Sequence, residues 1–478
     1  MLRPGTTRDV TGLATTGGSF PPGFRWGVAT ASYQIEGAAD EGGRGESIWD
    51  RFSRQPGNIR DGKPGDRATD QYHRWESDIA LLHDLGVNTY RFSIAWPRVQ
   101  PIGEGAVNPL GIDYYSRLID GLLEAGITPW PTLYHWDLPQ ALQDRGGWGS
   151  RDTAHRFADY AETVFELLHD RVNNWTTLNE PWVVAHIGHM AGILAPGLQD
   201  RQIAIQAAHH QLLGHGEAVA RIRAIDPSAQ LGVTLSVQPA YAATQSPADK
   251  AAALRIDLEA NRMFLSPLLA AKYPDDFWET IGGVVDLSFI QDGDERAIGQ
   301  PLDFIGLNYY HGNVVRAATP EEAVAEATDA FDGIRAFVAC DGTRFVSRDL
   351  PRTQMGWEID PQGLYDILWE VAHDYPKCPP LYVTENGIAL DEEPGEDGLV
   401  HDERRIDYLR AHLQVARQAI EDGIDLRGYY IWTFIDCYEW QDGYTKKFGL
   451  YRLDEATMER SPKDSARWLP GVIERNAI

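Results

Sequence analysis

A junction between the end of a helix and the start of a strand recurs along this chain and limits its possible folds. Four segments show it: "HDLGVNTYRF" (83–92), "LEAGITPWPT" (123–132), "HDRVNNWTT" (169–177) and "IEDGIDLRGYY" (420–430). In three of them a glycine stands at the turn, where a residue in the left-handed conformation commonly closes a helix. Repeated helix-to-strand junctions of this kind indicate an α/β protein.

Strand and helix patterns alternate over almost the whole length. Helical patterns include 151–171, for which Ser150 is the predicted N-cap, and 402–423. No G-x-G-x-x-G follows the first strand, which disfavours a dinucleotide-binding fold. Eight β-α units in alternation predict a parallel sheet with helices outside it. The predicted strands are 24–32, 87–96, 127–136, 172–180, 230–238, 302–310, 380–386 and 426–436.

Two of these strands end on a carboxyl group beside an asparagine. "NNWTTLNEPW" (173–182) ends on Glu180, and "LYVTENG" (381–387) ends on Glu385. Buried carboxyl groups are costly unless they have a role. In a closed eight-stranded barrel all the C-terminal strand ends surround one mouth, whereas an open sheet need not bring them together. We therefore predict an α/β protein with a single (β/α)8 TIM barrel.

The remaining length falls into three long βα loops, at 33–66, 311–356 and 387–401, which we expect to wall a pocket at that mouth. The segment 313–350 has little helical or strand signal. Residues 1–19 are predicted to be a loose leader and 20–478 the barrel domain.

Composition narrows the partners and the compartment. The chain carries 43 basic and 70 acidic residues, a net charge of −27, and would repel nucleic acids and anionic membranes. Only three cysteines occur, the start has no apolar signal-peptide run, and no stretch approaches the ~18 apolar residues of a membrane span. We predict a cytoplasmic protein. The 15 Trp and 20 Tyr residues supply rings on which sugars can stack.

Two carboxyl groups across a barrel mouth suit hydrolysis of a glycosidic bond, which needs an acid for the leaving oxygen and an anion at the anomeric carbon. Arg91 and Tyr310, at the ends of other strands, could keep Glu385 ionised. Glu180 lies among aromatic residues without an evident partner. Desolvation and the charge of Glu385 should raise its pKa and keep it protonated.

Motifs along most of the chain resemble those of glycoside hydrolase family 1, the β-glucosidase family. The order and separation of "TLNEP" and "TENG", with the other motifs around them, make this resemblance specific. The matching segments are "FRWGVATASYQIEGA", "YRFSIAWPR", "LYHWDLPQ", "TLNEP", "APG", "GLNYY", "MGWEIDP", "YVTENG" and "YEWQDGYTKKFGLY".

The resemblance implies a retaining β-glycosidase that acts on a small β-glycoside or a short oligosaccharide, without cofactor or metal. It implies that Glu180 is the acid/base and Glu385 the nucleophile. Further implied roles fall into three groups: binding of the non-reducing sugar by Gln34, His135, Trp136, Asn179, Trp432, Glu439 and Trp440; orientation of the nucleophile by Arg91, Asn308 and Tyr310; and the leaving-group side at Trp182 and Trp357.

Alternatives remain at this point. A 6-phospho-β-glycosidase of the same family would carry small residues at 439 and 440, whereas this chain has Glu439 and Trp440. A non-catalytic sugar-binding protein would lack one carboxylate. Trp432 and His135 could be ordinary core residues, and Glu439 could be solvated. Cys437, where many relatives carry Asn, departs from the family pattern. The natural glycoside and the oligomeric state stay open.

Overall fold

The computed structural model describes residues 18–319, 321–322 and 333–478. Its centre is a closed barrel of eight strands, each parallel to its two neighbours. These are β1 (Arg25–Ala29), β2 (Thr89–Ser93), β3 (Thr128–Tyr134), β4 (Asn174–Asn179), β5 (Gln230–Ser236), β7 (Phe304–Asn308), β10 (Leu381–Asn386) and β11 (Leu426–Trp432). Each lies within one of the eight predicted strands, and the predicted barrel is confirmed.

Helices follow the barrel strands in chain order. The longer ones are Gln71–Asp84, Pro109–Glu124, Arg151–Leu168, Arg201–Ile225, Pro247–Asp257, Met263–Ala270, Pro361–Asp374, Glu403–Glu421 and Asp464–Arg475. Shorter α-helices are Ser32–Ile35, Ile48–Ser53, Trp96–Val99, Gln140–Gln143, Asp275–Thr280 and Asp294–Ile298. Other helical turns are the 3₁₀ segments Gly147–Gly149, Gly333–Ala336 and Trp440–Asp442 and the π-helical segments Val183–Met190 and Leu258–Arg262.

The recurring junction has the predicted conformation. Gly86, Gly126 and Gly423 have φ angles of +71°, +75° and +97°, a region that residues with a Cβ rarely adopt. Each glycine therefore lets a helix end and the chain turn directly into β2, β3 or β11.

Helix Arg151–Leu168 shows how the outer layer is built. Its buried residues, including Phe157, Ala161 and Val164, recur at helical spacing and face the barrel. Ser150 is the N-cap residue, as predicted, although its side chain makes no capping hydrogen bond. The N–H group of Thr153 donates instead to the backbone carbonyl of Ser150, at 3.1 Å.

Aromatic side chains fill the barrel below the mouth. Trp130 on β3 lies 4.8 Å from Phe304 on β7, 5.0 Å from Tyr382 on β10 and 5.6 Å from Tyr430 on β11, centroid to centroid. None of these strands is a neighbour of β3, so the contacts cross the barrel interior. This packed layer makes the barrel a solid core.

The long loops contain structure that the sequence did not indicate. Within 311–356, predicted as a loop, β8 (Asn313–Ala317) and β9 (Thr343–Val346) pair with each other, and β6 (Ala240–Ala242) completes their sheet. Strands this short, paired with segments that are distant in the sequence, leave little local sequence pattern from which to predict them. The strands β12 (Tyr451–Leu453) and β13 (Arg460–Pro462) form a separate pair.

The two ends of the described chain meet. Of the predicted leader 1–19, residues 1–17 lie outside the described residues, and Ser19 forms a β-bridge with Ala477. Among the described residues, no helix has both the length and the apolar character that crossing a bilayer requires.

Candidate active site

Two glutamates stand at the C-terminal ends of β4 and β10. Glu180 directly follows β4, and its N–H group donates to the carbonyl of Thr234 on β5 at 2.9 Å. Glu385 lies within β10, in register with Asn308 of β7. Both glutamates are buried, at 5% and 3% exposure. The barrel thus brings the two predicted carboxyl groups to one mouth.

Arg91 of β2 links the surroundings of the two glutamates. One guanidinium nitrogen, Nη1, lies 2.6 Å from Glu385 Oε1, and the other, Nη2, donates to Asn179 Oδ1 at 2.6 Å. Asn308 Nδ2 donates to the same Asn179 oxygen at 3.1 Å. The hydroxyl of Tyr310 donates to the second oxygen of Glu385 at 2.9 Å. Arg91 is completely buried, so little solvent screens its charge.

The two carboxyl groups have different electrostatic surroundings. Burial, and then the charge of Glu385, raise the pKa of Glu180 to about 8. Burial also raises the pKa of Glu385, but the charge and hydrogen bond of Arg91 and the hydroxyl of Tyr310 oppose that rise. Among the described residues Glu180 has no ion-pair partner within 4.0 Å. The arrangement favours a protonated Glu180 beside an ionised Glu385.

Asn179 and His135 form a polar edge of the mouth. Because Asn179 Oδ1 accepts from both Arg91 and Asn308, its amide nitrogen is directed to His135 Nε2, at 3.0 Å. Burial and the Arg91 charge lower the pKa of His135, which is therefore neutral. Its proton then lies on Nδ1, a buried atom without a hydrogen-bond partner in the described structure and thus a free donor.

Gln34 and Glu439 lie together on another side. Gln34 Nε2 donates to the carbonyl of Tyr438 at 2.8 Å and to Glu439 Oε2 at 3.3 Å. Its Oε1 atom is buried and accepts no hydrogen bond from the described residues. Glu439 is half-buried, and burial and nearby carboxylates raise its pKa to about 8.

Aromatic rings line the mouth around His135. The ring of Trp432, at the end of β11, is stacked against the His135 ring, with 5.9 Å between the ring centroids. The ring of Trp440 is also stacked against His135, at 6.0 Å. Trp136 packs 4.5 Å from Trp440, and its indole N–H donates to the carbonyl of Asn179 at 3.0 Å. Trp136, Trp432 and Trp440 are all buried.

Three residues at the mouth have the left-handed backbone conformation although they carry large side chains. Trp136, Glu180 and Trp440 have φ angles of +80°, +49° and +50°. Such angles are uncommon for residues other than glycine and cluster at functional sites.

The two tryptophans predicted for the leaving-group side have different neighbours. Trp357 packs 5.2 Å from the ring of Tyr310, next to the Glu385 carboxylate. Trp182 follows Glu180 and stacks on His186 at 5.3 Å, with Phe337 5.5 Å away. Neither His186 nor Phe337 was predicted to lie here, because neither belongs to a recognisable motif near a strand end.

Three other buried histidines have structural partners among the described residues, and a buried cysteine lies beside Gln34. His210 and His189 bond to the carbonyls of Trp148 and Val184, and His215 bonds to Thr177 Oγ1. Burial raises the pKa of the Cys437 thiol well above its ordinary range, which disfavours a thiolate nucleophile.

Curated relatives match this chain over nearly all of its length. A protein of Thermotoga maritima named Beta-glucosidase A is 44% identical over 96% of this chain and 98% of its own length. A Bifidobacterium breve protein named Bifunctional beta-D-glucosidase/beta-D-fucosidase is 47% identical over 94% of this chain and 97% of its own.

Solved structures agree with the sequence comparison. The psychrophilic β-glucosidase of Micrococcus antarcticus aligns with a TM-score of 0.91 at 44% identity, over 96% of this chain and 98% of that one. The family 1 β-glucosidase of Thermotoga maritima in complex with isofagomine lactam aligns with a TM-score of 0.89 at 43% identity, over 97% and 100% of the two chains. The model of Glycosyl hydrolase family 1 matches residues 16–478. The chain belongs to Glycosyl hydrolase family 1.

Proposed function

We propose that this protein hydrolyses terminal, non-reducing β-D-glucosyl residues with retention of configuration, with Glu385 as nucleophile and Glu180 as acid/base. The observation that carries the proposal is the contrast between the two glutamates. Glu385 is held by a cation and a hydroxyl donor, whereas the pKa of Glu180 is raised to about 8 by burial and by its neighbour. One site thus offers an anion and an acid at neutral pH.

In the first step a carboxylate oxygen of Glu385 attacks the anomeric carbon. The bond from that carbon to the glycosidic oxygen breaks, and the proton of Glu180 passes to the departing oxygen. Arg91 and Tyr310 hold the attacking carboxylate in place during this step.

In the second step water attacks the same carbon from the face that the leaving group vacated. Glu180, now a carboxylate, takes the proton of the water, and the bond from the anomeric carbon to Glu385 breaks. Two inversions give a β-configured product. Both glutamates return to their starting protonation states.

The polar edge of the mouth supplies complementary groups for sugar hydroxyls. The free Nδ1–H of His135 can donate, and Gln34 Oε1 can accept. The Trp432 ring offers an apolar face, and Trp136, Trp440, Glu439 and Asn179 surround the same space. Asn308 donates to the Asn179 oxygen that also accepts from Arg91, and Trp357 borders Tyr310.

Glucose is the sugar named for the Thermotoga maritima relative, and the Bifidobacterium breve relative is named for both glucose and fucose. We therefore propose β-glucosides as principal substrates, with fucosides accepted. The three cysteines are free thiols, in keeping with a cytoplasmic location.

Proton NMR during hydrolysis of nitrophenyl β-glucoside tests the proposal. The signal of β-glucose should appear first, and α-glucose should follow only by mutarotation. Glu385→Gln should lower kcat at least ~10³-fold because an amide cannot form the covalent intermediate. First appearance of α-glucose, or a Glu385→Gln enzyme with a tenth of the wild-type rate, would contradict the assignment.

A further inference from the structure

Two π-helical segments meet behind the acid/base glutamate. The first, Val183–Met190, begins just after Glu180, and the N–H group of Val183 donates to the carbonyl of Glu180 at 2.9 Å. The second, Leu258–Arg262, lies in the connection after β5. A π-helical turn is rare and is often found at functional sites.

Glu259, in the second π-helical segment, is a completely buried carboxylate. Its Oε2 accepts from the N–H group of Val338 at 2.6 Å, and its Oε1 accepts from the N–H group of Ala339 at 2.8 Å. The thiol of Cys340 donates to Oε1 at 3.3 Å. One carboxylate therefore fixes three consecutive residues of another connection, the one between β7 and β10.

His186 connects this carboxylate to the site. Its Nε2 atom lies 3.5 Å from Glu259 Oε2, and its ring stacks on Trp182 with an interplanar angle of 14°. Phe337, next to the segment that Glu259 holds, packs 5.5 Å from Trp182 and 6.3 Å from His186. Trp182 is two residues from Glu180 in the chain, so this series of contacts ends beside the acid/base residue.

We infer that Glu259 is a positioning residue for the acid/base step. It holds residues 338–340, and through them the adjacent Phe337, together with His186 against Trp182, and thereby fixes Glu180 towards the leaving group. This inference rests on the proposed function, because it assigns Glu259 to the support of Glu180. No Lys or Arg of the described chain lies within 4.0 Å of the Glu259 carboxylate to offset its desolvation. A buried carboxylate without a cation beside it is costly. The proposed role in fixing the geometry of Glu180 accounts for its presence.

The effect of losing this support depends on the leaving group. The leaving group of cellobiose is a glucose oxygen, which departs poorly and needs the proton of Glu180. Dinitrophenolate leaves without protonation. A displacement of about 1 Å in a catalytic group can lower a rate ~100-fold. A displaced Glu180 should therefore slow cleavage of cellobiose much more than the first step on a dinitrophenyl glucoside.

The test compares the wild type with Glu259→Gln. An amide offers one acceptor oxygen in place of two and directs an N–H at a backbone N–H group, so one anchor to residues 338–339 is lost. We expect kcat/KM for cellobiose to fall at least ~10-fold and that for 2,4-dinitrophenyl β-glucoside to fall less than ~3-fold. Hydrogen exchange at the amides of Val338 and Ala339 should accelerate, while exchange in the barrel strands stays unchanged.

Asp294→Asn is the control. Asp294 is also a buried carboxylate that contacts a histidine, His209, at 2.9 Å and accepts from a backbone N–H group, that of Gln291, at 2.8 Å. Unlike Glu259, it also pairs with an arginine, Arg151, at 2.5 Å. It makes no contact with the residues around Trp182. Asp294→Asn should lower thermal stability, but it should change kcat/KM for the two substrates by similar factors.

Equal losses on both substrates in Glu259→Gln, or the same separation in Asp294→Asn, would overturn the inference. If Glu259→Gln does not fold, His186→Phe decides, because phenylalanine keeps a ring on Trp182 and removes the atom that faces Glu259. A separation of the two substrates in this variant supports the inference, and its absence refutes it. A wild type that cleaves neither substrate would instead refute the proposed function.

Discussion

Replacement of Arg91 by glutamine should move the acidic limb of the pH–rate profile towards higher pH. The guanidinium lies 2.6 Å from the Glu385 carboxylate, and both groups are buried. The positive charge favours the ionised form of Glu385, so its removal raises the pKa of that carboxyl. Because activity requires ionised Glu385, more base is then needed to reach the plateau.

The size of the shift follows from the geometry. Two unit charges whose centres are ~4 Å apart interact by about 4 kcal/mol at an effective dielectric constant of 20. At 1.36 kcal/mol per pKa unit this corresponds to ~3 units. Tyr310 still donates to Glu385 in the variant, and water that enters beside the shorter side chain also stabilises the anion. We therefore expect a shift of about one to two pH units.

The assay is kcat/KM for nitrophenyl β-glucoside between pH 4 and 9, with thermal unfolding measured alongside. Arg98→Gln is the control, because Arg98 is also fully buried and paired, at 2.8 Å from Glu36, but does not contact Glu385. It should lower stability and leave the acidic limb in place. Coincident acidic limbs for Arg91→Gln and the wild type would refute the reasoning.

Two other substitutions separate the roles of the carboxyl groups. Glu180→Ala should keep a fast first step on dinitrophenyl glucoside and stall at deglycosylation, because the base is missing. Added azide should restore turnover and give a β-glycosyl azide. An α-glycosyl azide would instead indicate an inverting enzyme. The wild type should prefer nitrophenyl β-glucoside over its 6-phosphate at least ~10³-fold, or ~4 kcal/mol in transition-state binding. The pKa of Glu439 is about 8, so between pH 6 and 9 its carboxyl group ionises and increasingly repels a 6-phosphate. The preference for the unphosphorylated glucoside should therefore grow over this pH range, and Glu439→Ser should reduce it. Equal efficiencies on the two substrates in the wild type would favour a phospho-glycosidase.

The parts of the structure that were predicted from sequence share a local origin. Barrel strands are buried on both faces, so each one leaves a short apolar run, and a glycine with positive φ precedes several of them. Glu180 and Glu385 are visible because an ionisable group directly follows or ends such a run. Tyr310 likewise lies just after β7, whereas Arg91 lies within β2, and the contacts expected between them and Glu385 are present.

The parts that were missed depend on contacts between distant segments. Glu259 accepts from Val338 and Ala339, about eighty residues further along the chain, and nothing in either segment indicates the other. The strands β8 and β9 are similarly short and pair across a long loop. At Ser150 the residue type predicted the N-cap position correctly, but it did not indicate that the N–H group of Thr153 bonds to the backbone carbonyl and not to the side chain.

The left-handed backbone at Trp136, Glu180 and Trp440 has a consequence for directed evolution. Each such residue destabilises the fold by about 1–3 kcal/mol relative to a residue suited to the conformation, and glycine is such a residue. At Trp136 and Trp440 the loss of a buried, packed ring would cost more than this strain, but at Glu180 a library selected only for heat resistance should accumulate glycine and lose its activity as it does so. Selection for a thermostable enzyme from this scaffold has to couple survival to sugar release, or leave the barrel mouth out of the mutated region.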